Sequence, residues 1–186
     1  MLQPMEMGLF LDRDGVVIEN VVRDDGTTGS PRTESEVHVV SSFANFAKRA
    51  SEFGYRILII TNQPDVARGF IALKTIDAMN DDIKNSVPQI DSFYVCPHDD
   101  RDNCPCRKPK PGLIAKAAAD LNISLHQSWV VGDRSSDIEA GFRIGVRGIC
   151  VPSLTHNGPQ LRACESQRPH LEAKDFEMVL ATIKPR

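Results

Sequence analysis

Short, near-continuous apolar runs alternate with segments of helical periodicity along most of this chain, and this alternation limits the folds it can adopt. The apolar runs predict strands at 7–11, 55–60, 92–95, 129–131 and 148–151. Apolar residues at helical spacing predict helices at 41–53, 75–84, 111–121, 136–144 and 175–183. Near-continuous apolar strands that alternate with helices are typical of parallel sheets covered on both faces. The sequence therefore predicts an α/β fold, a doubly wound, Rossmann-like parallel sheet.

The length and charge of the chain narrow the function classes. Its 186 residues predict one domain, 1–186, because no spacer between elements is long enough for a second. It has 22 basic and 25 acidic residues, a net charge of −3, whereas nucleic-acid-binding domains are usually basic. No apolar run approaches the about 20 residues of a membrane span, and residues 1–6 show no secretory signal. We expect a cytoplasmic, monomeric protein without a nucleic-acid or membrane partner.

Polar residues stand where the predicted strands end, which is where active sites of parallel sheets lie. Asp12 and Asp14 follow the first strand, and two carboxylates so close to a buried strand are costly without a cation. Mg²⁺ suits such oxygen ligands and leaves room for phosphate oxygens. One carboxylate can then attack phosphorus while the other moves a proton. The alternative is an acidic turn with Asp14-Gly15 as turn residues.

Three further polar clusters follow later in the sequence. At the end of the second strand, the Thr61 hydroxyl and nearby backbone N–H groups suit a phosphoryl oxygen, unless they only satisfy a turn. Lys108 offers a compact positive charge for phosphate, unless it belongs to a basic surface turn. Asp133 and Asp137 suit a metal ligand and a residue that supports it, unless Asp137 only caps a helix.

Together these clusters resemble the motifs of the haloacid dehalogenase (HAD) superfamily of phosphatases, over residues 7–151. The resemblance implies that Asp12 is the nucleophile and forms an aspartyl-phosphate, and that Asp14 is the general acid and base. It implies that Thr61 and Lys108 stabilise the transferring phosphoryl group. Mg²⁺ would be held by the side chains of Asp12 and Asp133 and the main-chain carbonyl of Asp14, with Asp137 in support. The intervals between the motifs are too short for a separate cap domain.

Three of the five cysteines lie within eleven residues, and their spacing predicts a metal site. Cys96, His98, Cys104 and Cys106 form the pattern C-x-H-x₅-C-x-C, which is typical of a closed structural zinc site. Free core thiols and a Cys104–Cys106 redox pair are the alternatives. Zinc would fix the loop that carries Arg107 and Lys108. We therefore expect a zinc-binding loop as well as the catalytic Mg²⁺.

Within the superfamily, the chain is most similar to the phosphatases of heptose bisphosphate and histidinol phosphate. Residues 61–69 read T-N-Q-P-D-V-A-R-G, close to the heptose group's T-N-Q-S-G-I-A-R-G, with Pro64-Asp65 as the departure. The resemblance implies removal of the 7-phosphate of D-glycero-D-manno-heptose 1,7-bisphosphate, a small sugar phosphate. The substrate contacts that it implies are Asn62, Gln63, Arg107 and Arg134. We expect an open site walled by residues 19–36 and the zinc loop.

Four other functions compete with this interpretation. Histidinol-phosphate hydrolysis would use the same scaffold, and the sequence separates the two only through residues 63–69. A nucleic-acid 3′-phosphatase is disfavoured by the net charge of −3. A zinc-stabilised binding module on an inactive scaffold is disfavoured because every catalytic position is present. A glycosyltransferase D-x-D site is disfavoured because no nucleotide-binding loop surrounds Asp12 and Asp14.

Overall fold

A six-stranded parallel sheet forms the centre of the molecule. The computed structural model describes residues 5–153, 168 and 170–185. The strands are β1 (Glu6–Leu11), β2 (Val21–Val22), β3 (Thr28–Gly29), β4 (Tyr55–Asn62), β5 (Ile90–Cys96), β6 (Ile123–Gly132), β7 (Arg147–Cys150) and β8 (His170–Glu172). The sheet order is β5-β4-β1-β6-β7-β8, and β2 and β3 form a separate antiparallel hairpin. Every pairing within the six-stranded sheet is parallel, which confirms the predicted fold class.

Helices cover both faces of this sheet. They are α1 (Phe43–Glu52), α2 (Pro64–Ala67), α3 (Leu73–Ser86), α4 (Gly112–Asp120), α5 (Ser135–Phe142) and α6 (Phe176–Ile183). Each predicted helix and strand is present, with ends that differ by a few residues, except that β6 begins six residues before the predicted 129. Along the described part of the chain, no helix is both long and apolar enough to cross a membrane.

The core divides into two layers because side chains alternate along the strands. On β1, Leu9 and Leu11 belong to the layer beneath α1 and α6, whereas Phe10 belongs to the layer beneath α4. Ile57 and Leu58 divide in the same way on β4, and all five side chains have no solvent exposure. β1 and β4 are therefore packed against apolar side chains on both faces.

Residues 19–36 do not form a cap domain. They contain the short hairpin β2–β3 and one turn of 3₁₀ helix, Glu34–Glu36. At the base of this segment, Ile18 forms an antiparallel bridge with Val39, and the Glu19 N–H donates to the His38 carbonyl at 2.9 Å. The sequence did not predict this hairpin, α2 or β8. That residues 1–186 form one domain stays a prediction.

Candidate active site

The predicted catalytic residues converge at the carboxyl edge of three neighbouring strands. Asp12 follows β1, the central one, while Thr61 lies at the end of β4 and Asp133 follows β6. The Asp12 N–H donates to the Val131 carbonyl at 3.0 Å, which continues the β1–β6 pairing up to the site. All three predicted residues are buried. The sheet itself thus brings together residues that are far apart in sequence.

Lys108 reaches this edge from the loop before α4 and is 4% exposed. Its Nζ donates to Asp12 Oδ1 at 2.8 Å and to the Ile60 carbonyl at 2.9 Å, and lies 2.6 Å from Asp137 Oδ1. Burial opposes its charge, but Asp12 and Asp137 outweigh burial and raise the pKa of Lys108. A buried cation therefore stands beside the predicted nucleophile, where phosphoryl charge would need stabilisation.

Three carboxylates crowd around this lysine. Oxygen atoms of Asp12, Asp133 and Asp137 lie within 4.8 Å of one another, and all three residues are buried. Burial and the neighbouring Asp137 raise the pKa of Asp12 to about 8, and the same two causes raise the pKa of Asp133. Within the described residues, Asp133 Oδ1 is buried without a hydrogen-bond partner. One divalent cation would relieve both the crowding and this unpaired oxygen, so the donor set fits Mg²⁺.

Three side-chain donors hold the Asp14 carboxylate. Gln63 Nε2 donates to its Oδ2 at 2.7 Å, and the Thr61 hydroxyl donates to the same oxygen at 3.3 Å. Arg13 Nη2 reaches Oδ1 at 3.1 Å. Gln63 is only 1% exposed, so the structure places this predicted substrate contact beneath the site, against Asp14. Asn62 instead exchanges two hydrogen bonds of 3.0 Å with the Lys108 backbone, which positions the lysine.

Sequence reasoning missed Arg13, although it lies between the two predicted catalytic aspartates. The side chain is fully buried, and its Nη1 donates to Asn80 Oδ1 on α3 at 3.0 Å. Burying a charged group is costly unless it is paired, so an arginine next to a buried strand needs partners. The D-R-D pattern supplied one partner, Asp14, but nothing in the sequence indicated Asn80.

The four predicted zinc ligands are together in one cluster. Cys106 Sγ lies 3.2 Å from Cys96 Sγ, 3.4 Å from Cys104 Sγ and 3.3 Å from His98 Nδ1. Zn–S bonds of about 2.3 Å in a tetrahedron place sulfur atoms about 3.8 Å apart, so the set fits one zinc ion after slight expansion. Hydrogen bonds from the neighbours outweigh burial and lower the pKa of Cys104 to about 7.

No disulfide joins the described cysteines of this cluster, so zinc stays a prediction beside its two alternatives. Cys96, Cys104 and Cys106 are free, and the Cys104–Cys106 sulfur separation of 3.4 Å is far beyond the about 2.05 Å of a disulfide. Cys150 is a buried core residue. Cys164, to which the sequence assigned no role, lies outside the described residues.

Comparison with known proteins decides the family. The HAD-hydrolase-like family model matches residues 105–179. The D-glycero-beta-D-manno-heptose-1,7-bisphosphate 7-phosphatase of Helicobacter pylori is 32% identical over 95% of this chain and 96% of the relative. The Pseudomonas aeruginosa enzyme of the same name is 32% identical over 87% of each chain. This chain belongs to the HAD phosphatases.

Solved structures show the same fold. A D,D-heptose 1,7-bisphosphate phosphatase from B. bronchiseptica, solved with magnesium and phosphate, aligns with a TM-score of 0.78 at 24% identity. The alignment covers 95% of this HAD phosphatase and 97% of that chain. A HAD-like phosphatase from Mesorhizobium loti aligns with a TM-score of 0.74 at 25% identity, over 99% and 88% of the two chains. The chain therefore has the same fold as these solved structures.

A cavity of about 470 Å³ opens above the predicted catalytic residues of this HAD phosphatase. Asp12, Asp14 and Lys108 line its floor. Both predicted walls line it. One is residues 23–32 of the hairpin segment, which is residues 19–36, and the other is the predicted zinc loop, through Arg107. Arg134 also lines it, so the structure places both predicted arginine contacts where a bound substrate would lie. Arg107 is fixed there because its Nε donates to Asp100 Oδ1 at 2.7 Å.

Proposed function

We propose that this HAD phosphatase removes the 7-phosphate of D-glycero-D-manno-heptose 1,7-bisphosphate. The observation that carries the proposal is the 32% identity to the Helicobacter pylori heptose-bisphosphate phosphatase over nearly the full length of both chains. The arginine-lined cavity supports it, because a bisphosphate needs positive charge away from the reacting centre. A cytoplasmic location, a monomeric state and the absence of nucleic-acid and membrane partners stay predictions from the sequence.

In this proposal, Asp12 attacks the phosphorus of the 7-phosphate, and the bond from phosphorus to the sugar oxygen breaks. Asp14 donates a proton to the leaving sugar oxygen and then takes a proton from the water that hydrolyses the aspartyl-phosphate. Proton transfer of this kind contributes roughly 10²–10⁴-fold to the rate. Lys108 stabilises the charge on the phosphoryl oxygens, and the Thr61 hydroxyl holds one of them.

Two metal sites complete the proposal. The Asp12 and Asp133 side chains and the Asp14 main-chain carbonyl would hold Mg²⁺, which neutralises phosphate charge when bound. Asp137 would support this site, since its carboxylate accepts from the Arg134 N–H at 3.1 Å and pairs with Lys108. A structural Zn²⁺ would occupy the cluster of three cysteines and one histidine and fix the loop that carries Lys108.

Histidinol phosphate is the second candidate substrate. Asp25 and Asp65 line the same cavity, and histidinol carries a cationic amine that a carboxylate would bind. Such a role requires Asp65 to exchange its arginine partner for the amine, because its carboxylate contacts Arg32 at 2.7 Å. The heptose bisphosphate, in contrast, would leave the Arg32–Asp65 pair in place.

The test is Mg²⁺-dependent phosphate release from a panel of phosphate esters. The panel holds both anomers of the heptose 1,7-bisphosphate, histidinol phosphate, fructose 1,6-bisphosphate and a 3′-phosphorylated oligonucleotide, with Asp12→Asn as the inactive control. We expect kcat/KM for one heptose anomer to exceed the others at least about 100-fold, about 2.7 kcal/mol of discrimination. A preference for histidinol phosphate would overturn the proposal that heptose bisphosphate is the substrate. Phosphate release by Asp12→Asn at the wild-type rate would overturn the mechanism.

A further inference from the structure

The wall of the catalytic cavity is rich in arginine. Five line it: Arg23, Arg32, Arg68, Arg107 and Arg134. Outside the catalytic cluster, only two lining residues are acidic, Asp25 and Asp65. The sequence singled out Arg107 and Arg134 as substrate contacts, whereas it predicted residues 19–36 only as a wall and assigned no role to Arg23 or Arg32.

Two of these arginines are already engaged within the protein. Arg23 Nη2 donates to the Ser30 carbonyl at 2.7 Å, inside its own hairpin. Arg68 pairs with Asp99 and lies 3.6 Å from Asp65. These contacts use the guanidinium groups to hold protein segments together, which leaves them few donors for a ligand.

Arg32 is engaged differently. Its Nε donates to Asp65 Oδ2 at 2.7 Å, and its guanidinium carbon lies 4.2 Å from the centre of the Phe70 ring. Its backbone N–H donates to Glu36 Oε2 at 2.7 Å, which fixes the main chain. Within the described residues, the side chain makes its hydrogen bond through Nε, so both terminal nitrogens remain for a ligand. Asp65 and Phe70 therefore hold the Arg32 side chain in one orientation, and its two terminal nitrogens can still bind a ligand.

We propose that Arg32 binds the remote phosphate of the sugar bisphosphate and that Asp65 is the residue that positions it. A guanidinium held at Nε can present its two terminal N–H groups to two phosphate oxygens. Orientation by Asp65 and Phe70 reduces the side-chain entropy that binding would otherwise cost. The inference rests on the proposed function in one respect, which is that the preferred substrate carries a second phosphate.

Asp65 also joins two parts of the cavity wall. It belongs to α2, and its contact with Arg32 connects that helix to the hairpin segment, 33 residues earlier in the chain. The side chain of Asp65 is 16% exposed, and that of Arg32 is 33% exposed. A partly shielded pair of this kind keeps its geometry better than a fully exposed one. Asp65 stands where the family's T-N-Q-S-G sequence has glycine, and the proposed positioning of Arg32 gives this difference a function.

The experiment compares kcat/KM for the preferred sugar bisphosphate with kcat/KM for p-nitrophenyl phosphate, which has no second phosphate. We expect Arg32→Ala to lower this ratio about 10- to 100-fold, mainly through KM, because it removes a charge-assisted contact. Arg32→Lys should retain part of the ratio. The matched control is Arg49→Ala, which removes an exposed arginine that pairs with Glu177 outside the cavity and should leave the ratio unchanged.

A double-mutant cycle tests the positioning role. Asp65→Asn should lower the ratio by a smaller factor in the wild-type background and have no further effect when Arg32 is already alanine. An additional loss in that background would show that Asp65 acts independently and would overturn its positioning role. An equal fall in kcat/KM for both substrates in Arg32→Ala would overturn the role of Arg32.

The panel separates this inference from the proposed function. If another sugar bisphosphate is preferred, the heptose assignment is wrong, and the ratio measured with that substrate still decides the role of Arg32. If the wild-type protein prefers no bisphosphate over p-nitrophenyl phosphate, no remote phosphate is recognised and the inference is wrong, while its phosphatase activity stands.

Discussion

Replacing Arg13 with methionine should destabilise the protein strongly, because the Arg13 side chain is fully buried and its contacts are made inside the protein. The substitution leaves the buried Asn80 Oδ1 without the donor that now lies 3.0 Å away. It also removes one of the three side-chain donors to Asp14. Breaking a buried ion pair by removing one partner costs about 3–5 kcal/mol. Asp14 keeps two donors and borders the cavity, so we expect the lower end, about 3 kcal/mol.

The partner substitution, Asn80→Leu, provides the matched comparison. It leaves the Arg13 guanidinium buried beside Asp14 alone, and its Nε already has no partner among the described residues. The unsatisfied donor should cost about 1–3 kcal/mol. When both residues are replaced, the arginine and its acceptor disappear together. The double variant should therefore be about 1–3 kcal/mol more stable than the sum of the single losses predicts.

Urea and thermal unfolding of the four proteins measure these values. For a domain of this size, about 3 kcal/mol corresponds to a fall of roughly 6–12 °C in Tm. Phosphate release should fall as well in Arg13→Met, because Asp14 loses a positioning contact. A Tm within about 2 °C of the wild type, or losses that add without coupling, would show that the Arg13–Asn80–Asp14 contacts do not carry the stability argued here.

Three shorter predictions concern other parts of the molecule. Gly15→Ala should lose folding stability and activity, because Gly15 has φ +86° and a Cβ there would lie 2.6 Å from Asn20 Nδ2; thermal unfolding and phosphate release check this. Phe176→Ala should cost about 3–5 kcal/mol in urea unfolding, because this buried ring stacks on Phe46 at 4.4 Å; a loss below 1 kcal/mol would contradict it. Metal analysis should find one zinc per wild-type chain and none in Cys106→Ser, whose activity should fall because Lys108 is two residues away; a wild type without zinc would refute the site.

The sequence predicted the central sheet well because its strands are short runs of buried apolar residues. Residues 55–60, for example, read YRILII, and the strand extends only two residues further, to Asn62. The hairpin β2–β3 could not be predicted, since each strand has two residues and neither is buried. β8 has three residues at the edge of the sheet, and its pairing with β7 arises from tertiary structure and has no local pattern.

The candidate site divides in a similar way. Residues at strand ends, such as Asp12 and Asp133, were predictable because topology alone brings them together. The contacts of Gln63 and Arg13 were not, because their partners come from elements whose packing the sequence does not specify. Arg32 was missed for the same reason. Its meeting with Asp65 depends on how the hairpin folds over α2.

The closed base of the hairpin segment has an evolutionary consequence. Two backbone hydrogen bonds, from Glu19 to His38 and from Val40 to Val17, join the ends of the segment beside β1. The residues between these hydrogen bonds form a closed loop. Doubling the length of such a loop raises the free-energy cost of closing it by only about 0.6 kcal/mol. Mutations, insertions and deletions in this segment can change the wall of the cavity while Asp12, Asp133 and Lys108 stay in place. The closed base thus separates changes in the cavity wall from the arrangement of the residues at the strand ends.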